Sequence, residues 1–262
     1  MADAPTFLAV AEGSFGVITA KTAVSAIRYL PERVVGVLDS TVKARTVGEA
    51  LVVLTVGSDC SSGKMTALIE LQRALRGDAL RARFVATGQT GILLAGRGIA
   101  VDAVAGDFIA GATEQLVVEA AADADVVLVE GQGSLIHPGY SGISLGLIHG
   151  ACPGAMILCH QASRKLVSEY QGASAYLPIP PLARLVHLHE QAAALVDPSR
   201  VIAVALMTYD LPEAAAREAV RRAAEETGLP ATDPVRFGVE PLVGAIRRAA
   251  AERRAARGVR PA

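Results

Sequence analysis

The residues with the clearest chemical potential are ten consecutive positions that begin at Gly57. They follow a β-branched apolar run at residues 51–56 and precede a segment of helical periodicity, so the sequence predicts a loop between a strand and a helix. Glycines permit tight turns, and successive N–H groups at a helix start form an anion-binding nest. Lys64 adds a charge for outer phosphates. The candidate residues of this phosphate-binding loop are Gly57, Ser58, Asp59, Cys60, Ser61, Ser62, Gly63, Lys64, Met65 and Thr66.

Met65 follows the lysine directly, where a loop that handles Mg-nucleotide carries serine or threonine to bind the metal. Thr66 lies about 100° further around the predicted helix, which favours contact with phosphate over replacement of that ligand. Asp59 is left with two possible roles, metal binding or contact with a substrate amine. Cys60 is interpreted as a ligand contact, because the sequence identifies no base that would make it a nucleophile. Thr66 and Glu130 are the candidate metal ligands.

A second group of polar residues follows a buried apolar run that ends at Glu130. In open α/β sheets the carboxyl ends of the strands face the ligand crevice. Glu130 is therefore interpreted as a metal ligand, a general base or the partner of an ammonium group. His137 lies in the loop that follows, and His160 ends a later strand at the same edge, so both are candidate general bases. The candidate catalytic residues are Glu130, His137 and His160.

The candidate substrate-binding residues are polar side chains in two glycine-containing loops of the predicted crevice. One loop follows the strand predicted at residues 83–87, and the other follows Glu130. Glycines there allow the backbone to approach a ligand closely. Asp102 is either a further substrate contact or a solvated loop acid. The substrate-binding candidates are Thr87, Gln89, Thr90, Gln132, Ser134, Tyr140 and Ser141.

The elements that must position these residues alternate between short apolar runs and longer amphipathic segments, the pattern of β–α units. Strands are predicted at residues 7–10, 34–38, 51–56, 83–87, 126–129, 155–159 and 201–206. Helices are predicted at residues 20–30, 64–76, 113–122, 180–195, 212–227 and 239–257, and near the end of a long loop at 131–150. Residues 41–49 are predicted as a linker and 88–98 as a glycine-rich loop. His187 and His189 are interpreted as surface residues of a helix.

These elements predict an α/β fold class: a P-loop NTPase-like, mostly parallel sheet with helices on both faces, preceded by a short β-α-β segment. The 262 residues are 52% hydrophobic and 19% charged, as a large core requires. The net charge of -1 gives no electrostatic reason to expect nucleic acid or an anionic membrane as a partner. No signal-type segment and no run long enough to span a bilayer is evident. Three cysteines without metal-type spacing favour a reduced, cytoplasmic protein.

Several long motifs resemble the family of D-glutamate N-acetyltransferases. Besides residues 57–66 they are VATGQTGILLAGRGI (85–99), VEGQGSLIHPGYSG (129–142), LCH (158–160) and TGLPATDPVRFG (227–238). The opening motifs GSFGVITAKTAVSAIRYL and VVGVLDST also resemble this family, in which that segment continues into a complete Rossmann-like domain. We therefore expect residues 1–50 to be a truncated Rossmann-like segment and residues 51–262 a P-loop domain. A β-α-β remnant would pack on the main domain or on a second subunit, so a homo-oligomer is expected.

The resemblance implies transfer of an acetyl group from acetyl-CoA to the amino group of an acidic amino acid such as D-glutamate, with the CoA phosphates in the loop. Met65 fits this hypothesis, since CoA does not need the lost magnesium ligand. The P-loop half is also similar to dethiobiotin synthetase, which implies ATP and Mg²⁺ and an ATP-dependent ligase or kinase. A non-catalytic nucleotide- or CoA-binding protein is the third alternative. In all three the partner is a small molecule.

Overall fold

The computed structural model describes residues 7–10, 34–38, 50–77, 80–168 and 177–257, and the chain divides into two compact units, Met1–Thr46 and Val47–Ala262. In the first unit, strands β1 (Phe7–Val10) and β2 (Val34–Leu38) have the predicted bounds and pair in parallel. The helix predicted at residues 20–30 and the linker predicted at 41–49 lie outside the described residues. The Rossmann-like character of this unit stays a prediction.

The second unit alternates strands and helices, which confirms the predicted α/β class. Its strands are β3 (Leu51–Gly57), β4 (Ala82–Val85), β5 (Val126–Val129), β6 (Ala155–Gln161), β7 (Val201–Met207) and β8 (Ala231–Thr232). Its helices are α1 (Lys64–Ala74), α2 (Gln89–Ala95), α3 (Ile109–Ala121), α4 (Ser141–Ala151), α5 (Leu182–Ala194), α6 (Glu213–Thr227) and α7 (Glu240–Arg257), with 3₁₀ turns at Val101–Ala103 and Gly106–Phe108. Within the described residues, no helix has both the length and the apolar character needed to cross a bilayer.

The six strands form one parallel sheet in the order β4-β5-β3-β6-β7-β8. Strand β3 is central, between β5 and β6, and every one of its residues is buried. Alternate side chains point to opposite faces of a strand. Val52, Leu54 and Val56 accordingly join one hydrophobic cluster, while Leu51 and Val53 join another. The sheet therefore has a core on each face.

Helices cover both of these faces. Helices α3, α4, α5 and α6 pack on the face that carries Val52, and α1 and α7 pack on the face that carries Leu51. A parallel sheet with both faces covered needs strands that are apolar throughout rather than alternating. This explains why the central strands read as continuous Val, Ile and Leu runs. It also leaves only the ends of the strands open to a ligand.

Residues 89–95 form helix α2 within the stretch 88–98 that was predicted as a glycine-rich loop, so the prediction is wrong for these seven residues. Glycines lie at the two ends of this helix. Gly88 precedes it in an extended conformation, and Gly96 ends it with φ 73°, a left-handed value suited to glycine. The preceding strand stops at Val85, two residues earlier than predicted. The residues after it turn toward the carboxyl end of β5.

Candidate functional site

The loop between β3 and α1 has the backbone of an anion-binding nest. Gly63 has φ +91° and Ser61 has φ +50°, and such left-handed residues occur where successive N–H groups turn toward one anion. Gly57 is required by space, because a Cβ there would lie 2.6 Å from Ser62 Oγ and 2.8 Å from Lys64 Nζ. Helix α1 starts at Lys64, so the N–H groups at its amino end face the space enclosed by this loop. The loop combines N–H groups and a helix terminus suited to phosphate.

Lys64 joins this loop to the one that follows β5. Its Nζ donates to the carbonyl oxygens of Asp59 and Gly133, each at 2.8 Å, and lies 3.4 Å from Ser62 Oγ. The side chain is buried, and burial lowers its pKa below the ordinary value, while the nearby Cys159, Cys60 and Asp59 act in the opposite direction. An anion bound at the loop would favour the charged ammonium. Lys64 is thus placed to exchange carbonyl partners for phosphate oxygens.

A cavity of about 500 Å³ opens beside this lysine. Its volume lies within the range of small-molecule sites. The phosphate loop forms one wall and the residues after β5 form the other. The lining residues are Cys60, Ser61, Ser62, Gly63, Lys64, Met65, Thr66, Asp102, Glu130, Gly131, Gln132, Gly133, Tyr140, Ile143 and Met207.

Glu130 ends β5 at this cavity with a side chain that is held in place. Its Oε2 accepts hydrogen bonds from Thr87 N at 3.0 Å and Gly88 N at 3.1 Å, while Thr87 Oγ1 donates to Glu130 O at 2.6 Å. Burial raises the pKa of Glu130, and the two N–H groups and the Lys64 charge oppose that shift. A carboxylate with a raised pKa is a better proton acceptor near neutral pH.

Gly91 explains how helix α2 can approach this carboxylate. A Cβ at Gly91 would fall 2.1 Å from Glu130 Oε2 and 2.8 Å from its Cδ. If the carboxylate moved away from such a Cβ, it would lose its hydrogen bonds with Thr87 N and Gly88 N. The second glycine of the TGQTG motif, Gly91, is therefore needed because a larger residue would collide with the Glu130 carboxylate.

Asp59 is not among the residues that line the cavity, and its carboxylate is held by partners within the protein. It is fully buried; Oδ2 accepts from Arg164 Nη1 at 3.1 Å and from Ser168 N at 2.7 Å, and Oδ1 accepts from Cys60 N at 2.7 Å. Arg164 also donates to the carbonyl oxygens of Cys60 and Ser61. Both carboxylate oxygens are thus engaged by partners within the protein, and the roles of Asp59 in metal binding or amine contact stay predictions. The buried ion pair braces the phosphate loop.

His137 lies close to the same loop. Gly139 N donates to its Nδ1 at 3.1 Å, which puts the hydrogen of the neutral ring on Nε2, and Nε2 lies 2.8 Å from Ser168 Oγ. Ligand-type atoms of Asp59, Cys60 and His137 lie within 4.8 Å of one another. Among the described residues this is the one group of three His, Cys, Asp or Glu side chains whose ligand atoms lie this close together. It unites one predicted general base with a cysteine of the phosphate loop.

Comparison with known proteins identifies the family. A family model described as "Domain of unknown function (DUF1611_C) P-loop domain" matches residues 40–243. The chain belongs to this family. A crystal structure of a DUF1611 family protein from Anabaena variabilis is 38% identical, with a TM-score of 0.72, and the match covers 81% of this chain and 64% of that one. The P-loop fold predicted from the sequence is confirmed.

Two curated relatives carry a functional name. Proteins from Pseudoalteromonas sp and Tritonibacter scottomollicae, each named D-glutamate N-acetyltransferase, are 37% identical over 191 and 194 residues. The matches cover 72% and 74% of this chain but only 56% and 57% of those proteins. The chain thus spans little more than half the length of these relatives. The motif-based resemblance to this family is confirmed.

The other predicted catalytic residue, His160, does not line the cavity of this DUF1611 P-loop domain. It lies within β6, mostly buried, with Nδ1 2.8 Å from Ser58 Oγ. Burial lowers the pKa of His160 to about 4, with a smaller contribution from the charges of Lys165 and Arg164. It supports the start of the phosphate loop from behind. Its assignment as a general base has no support from this geometry.

His189 corrects a further prediction, since it is buried at 1% exposure rather than on the surface. Its Nδ1 lies 2.8 Å from Leu185 O, one turn earlier in α5. Burial lowers its pKa to about 4. Helix α5 packs between the sheet and neighbouring helices, and its periodicity alone does not reveal that His189 is on the inner side.

The predicted substrate residues divide into two groups. Gln132 and Tyr140 line the cavity. Thr87 and Ser134 are buried and do not line it: Thr87 N donates to Glu130, and Ser134 Oγ accepts from Ile136 N at 3.3 Å. This geometry gives no support to direct substrate contact by either residue. The remaining three, Gln89, Thr90 and Ser141, lie outside the cavity lining at the starts of helices α2 and α4.

Thr66 and Met65 both line the cavity, so the side chain after the lysine is a thioether where a metal-binding hydroxyl would stand. The sequence reasoning missed Arg164 and Met207. A signal for Arg164 existed, since it follows the end of a central strand within the polar run QASRK. Met207 ends β7, the next strand in the sheet, and its apolar side chain gave no chemical signal.

Proposed function

We propose that this chain is the P-loop part of an acetyl-CoA-dependent N-acetyltransferase that acts on an acidic amino acid such as D-glutamate. The observation that carries the proposal is a phosphate-binding loop whose cavity also holds a buried carboxylate, in a chain similar to two proteins named D-glutamate N-acetyltransferase. A phosphate grip suits the CoA portion of the donor. A proton acceptor suits the ammonium group of the acceptor.

The loop is suited to the CoA phosphates for three reasons. Its nest and the amino end of α1 supply N–H donors. Lys64 supplies an ammonium group, which donates to two carbonyl oxygens in this structure. Met65 lines the same space without a hydroxyl, and phosphates of CoA do not need the metal ion that a hydroxyl would bind. Acetyl-CoA is therefore the expected ligand of the loop.

The reaction needs an acceptor for the ammonium proton and donors for the thioester carbonyl oxygen. Glu130 has the raised pKa and the position for the first role, and His137 is the alternative. For the second role the backbone after β5 offers N–H groups. Gly131 N already donates to Thr55 Oγ1 at 2.9 Å, which leaves those of Gln132 and Gly133 as the proposed donors.

The second candidate function is ATP-dependent activation of a carboxylate or amine, for which ATP and Mg²⁺ would occupy the same loop. Thr66 and Glu130 at the cavity favour it, and Met65 weighs against it. Thr66 and Glu130 are the proposed metal ligands in that case. A protein that binds CoA or nucleotide without catalysis is the third.

Isothermal titration with acetyl-CoA, CoA and Mg-ATP, followed by a thiol-release assay with D-glutamate, separates the three functions. We expect acetyl-CoA binding and D-glutamate-dependent release of CoA thiol. Tight Mg-ATP binding without acetyl-CoA binding would contradict the proposal. Binding without turnover on a panel of D- and L-amino acids would favour the third function.

Lys64→Ala tests the assignment of the loop itself. Loss of the ammonium should abolish measurable binding of every phosphate ligand, whereas circular dichroism should show an intact fold. An unchanged dissociation constant would mean that the ligand lies elsewhere. The prediction of a homo-oligomer is carried forward and is tested by light scattering on the purified chain, and the predicted cytoplasmic location is tested by fractionation.

A further inference from the structure

We infer that Cys60 carries the acetyl group during the reaction, as a thioester formed with His137 as its proton acceptor. This inference rests on the proposed function and adds a covalent step to it. No base for Cys60 could be identified along the chain, and the fold brings His137 near it. A thiol nucleophile needs a base or a cationic environment within reach, and it needs access to the substrate.

Access and proximity are both present at Cys60. It lines the cavity at the phosphate loop, and its Sγ lies within 4.8 Å of a His137 ring nitrogen and of an Asp59 carboxylate oxygen. The backbone of Cys60 is fixed on both sides, because its N donates to Asp59 Oδ1 and its carbonyl accepts from Arg164. A nucleophile fixed in this way loses little freedom when it reacts.

His137 is oriented by two contacts of its own. Its Nε2 hydrogen faces Ser168 Oγ at 2.8 Å, so Nδ1 carries the lone pair that can accept a proton. That lone pair now accepts a hydrogen bond of 3.1 Å from Gly139 N, and it must give up this partner before it can take the thiol proton. The ring also packs on Tyr140, with 4.6 Å between centroids. A nucleophile, a base and groups that orient the base are thus present together.

Positively charged groups lie close to Cys60. The thiol interacts electrostatically with the Lys64 ammonium, and it precedes the amino end of α1 by a few residues. The Asp59 carboxylate acts in the opposite direction, but Arg164 is paired with it. The other two cysteines differ: burial raises the pKa of Cys159 to about 12, and burial also raises that of Cys152.

The reaction balances in two steps. In the first, the Cys60 thiol gives its proton to His137 Nδ1, the sulfur bonds to the acetyl carbon, and the carbon–sulfur bond to CoA breaks. The CoA thiolate takes the proton from His137 and leaves as free thiol. In the second, the amino group of the amino acid, freed of its extra proton by Glu130, attacks the acetyl carbon. The bond between the acetyl carbon and Cys60 Sγ breaks, and the amide product leaves. The Cys60 thiolate recovers a proton from the attacking amine through His137, and Glu130 releases its proton to solvent.

The first step predicts a measurable species before any amino acid is added. The 262-residue chain is mixed with acetyl-CoA alone, and free thiol is followed in a rapid assay. The reaction is stopped with acid, and the protein is then digested briefly with trypsin near neutral pH, where the protease is active and a thioester survives. Cys60 is alone in the tryptic peptide of residues 46–64, whereas Cys152 and Cys159 share the peptide of residues 98–164. Each peptide can therefore be weighed separately for an added acetyl group.

The expected result is a burst of thiol release together with acetylation of peptide 46–64 that is at least about tenfold faster than that of peptide 98–164. With D-glutamate present, the acetyl group should leave that peptide, and double-reciprocal plots should be parallel, as ping-pong kinetics require. Cys60→Ser should lower turnover by on the order of a thousandfold or more, whereas Cys152→Ser should leave it unchanged. His137→Gln should slow acetylation of Cys60 by roughly a hundredfold.

Sequential kinetics, an unmodified peptide 46–64 and turnover retained by Cys60→Ser would overturn the covalent step and leave the proposed function standing. No thiol release from wild-type chain with any amino acid would overturn the proposed function, and the covalent step with it. The peptide measurement uses wild-type protein, so the result does not depend on the folding of a variant.

Discussion

Arg164→Met is the substitution whose consequences the structure defines most fully. The guanidinium is 4% exposed and its partner carboxylate of Asp59 is 0% exposed. Methionine keeps most of the aliphatic length but removes every donor. Asp59 would then retain only the N–H groups of Cys60 and Ser168, and the carbonyl oxygens of Cys60 and Ser61 would lose their shared donor.

The expected cost follows from the burial of this ion pair. Removing one partner of a buried ion pair costs about 3–5 kcal/mol, because the other charge stays buried without compensation. For a domain of this size each kcal/mol lowers Tm by about 2–4 °C, so Arg164→Met should lower Tm by roughly 6–20 °C. Since the same contacts hold the phosphate loop, affinity for acetyl-CoA should fall by about tenfold or more.

The assay is urea unfolding followed by circular dichroism, with titration of acetyl-CoA under native conditions. Arg73→Met is the matched control, since Arg73 forms an exposed ion pair with Glu70 at 2.7 Å. It should change the unfolding free energy by no more than about 1 kcal/mol. The double variant Asp59→Asn with Arg164→Met should be more stable than the sum of the single changes predicts, because the buried charge is then gone.

Two results would refute this reasoning. One is an Arg164→Met unfolding free energy within the range of the Arg73→Met control. The other is strict additivity in the cycle with Asp59→Asn, which would mean that the two side chains do not stabilise each other. Either outcome would show that the loop conformation depends on backbone contacts alone.

The remaining predictions concern a buried histidine, a packing glycine and the residue after the lysine. Burial lowers the His189 pKa from 6.5 to about 4, so on acidification the unfolded state binds a proton before the folded state does. The free energy of unfolding is therefore unaffected by His189 above about pH 6.5 and falls as the pH drops from there toward 4. His189→Gln should therefore reduce the loss of unfolding free energy between about pH 7 and pH 5 by roughly 2 kcal/mol in urea titrations; an unchanged loss would argue against a buried neutral ring. Gly91→Ala drives a Cβ into Glu130 and should destabilise by about 1–3 kcal/mol in thermal unfolding, whereas Gly111→Ala, which meets no atom within 4 Å in α3, should stabilise slightly. Met65→Thr should increase Mg-ATP affinity and leave acetyl-CoA affinity nearly unchanged in calorimetry; equal losses for both would show that the thioether itself contacts the ligand.

Much of the fold could be predicted because local patterns and tertiary environment agree. Strand β3 lies between two other strands with both faces covered, so its apolar run has one interpretation. Helix α6 starts after a proline and ends at Gly228 with φ +67°, as its sequence indicates. The loop prediction for residues 88–98 was wrong because the roles of the glycines there depend on residues far away along the chain. Gly91 is small because Glu130 lies against it.

The phosphate loop was the part of the site that the sequence by itself determined. Its chemistry comes from contiguous residues between a strand and a helix, so position along the chain fixes position in space, and Met65 could be identified as the departure that weakens metal binding. The tertiary structure alone decided what surrounds it. Arg164 reaches Asp59, and His137 reaches Cys60, only because the carboxyl ends of separate parallel strands meet at one edge of the sheet. Contacts between residues that follow different strands depend on the order of the strands in the sheet. The hydrophobic periodicity of the sequence does not reveal that order.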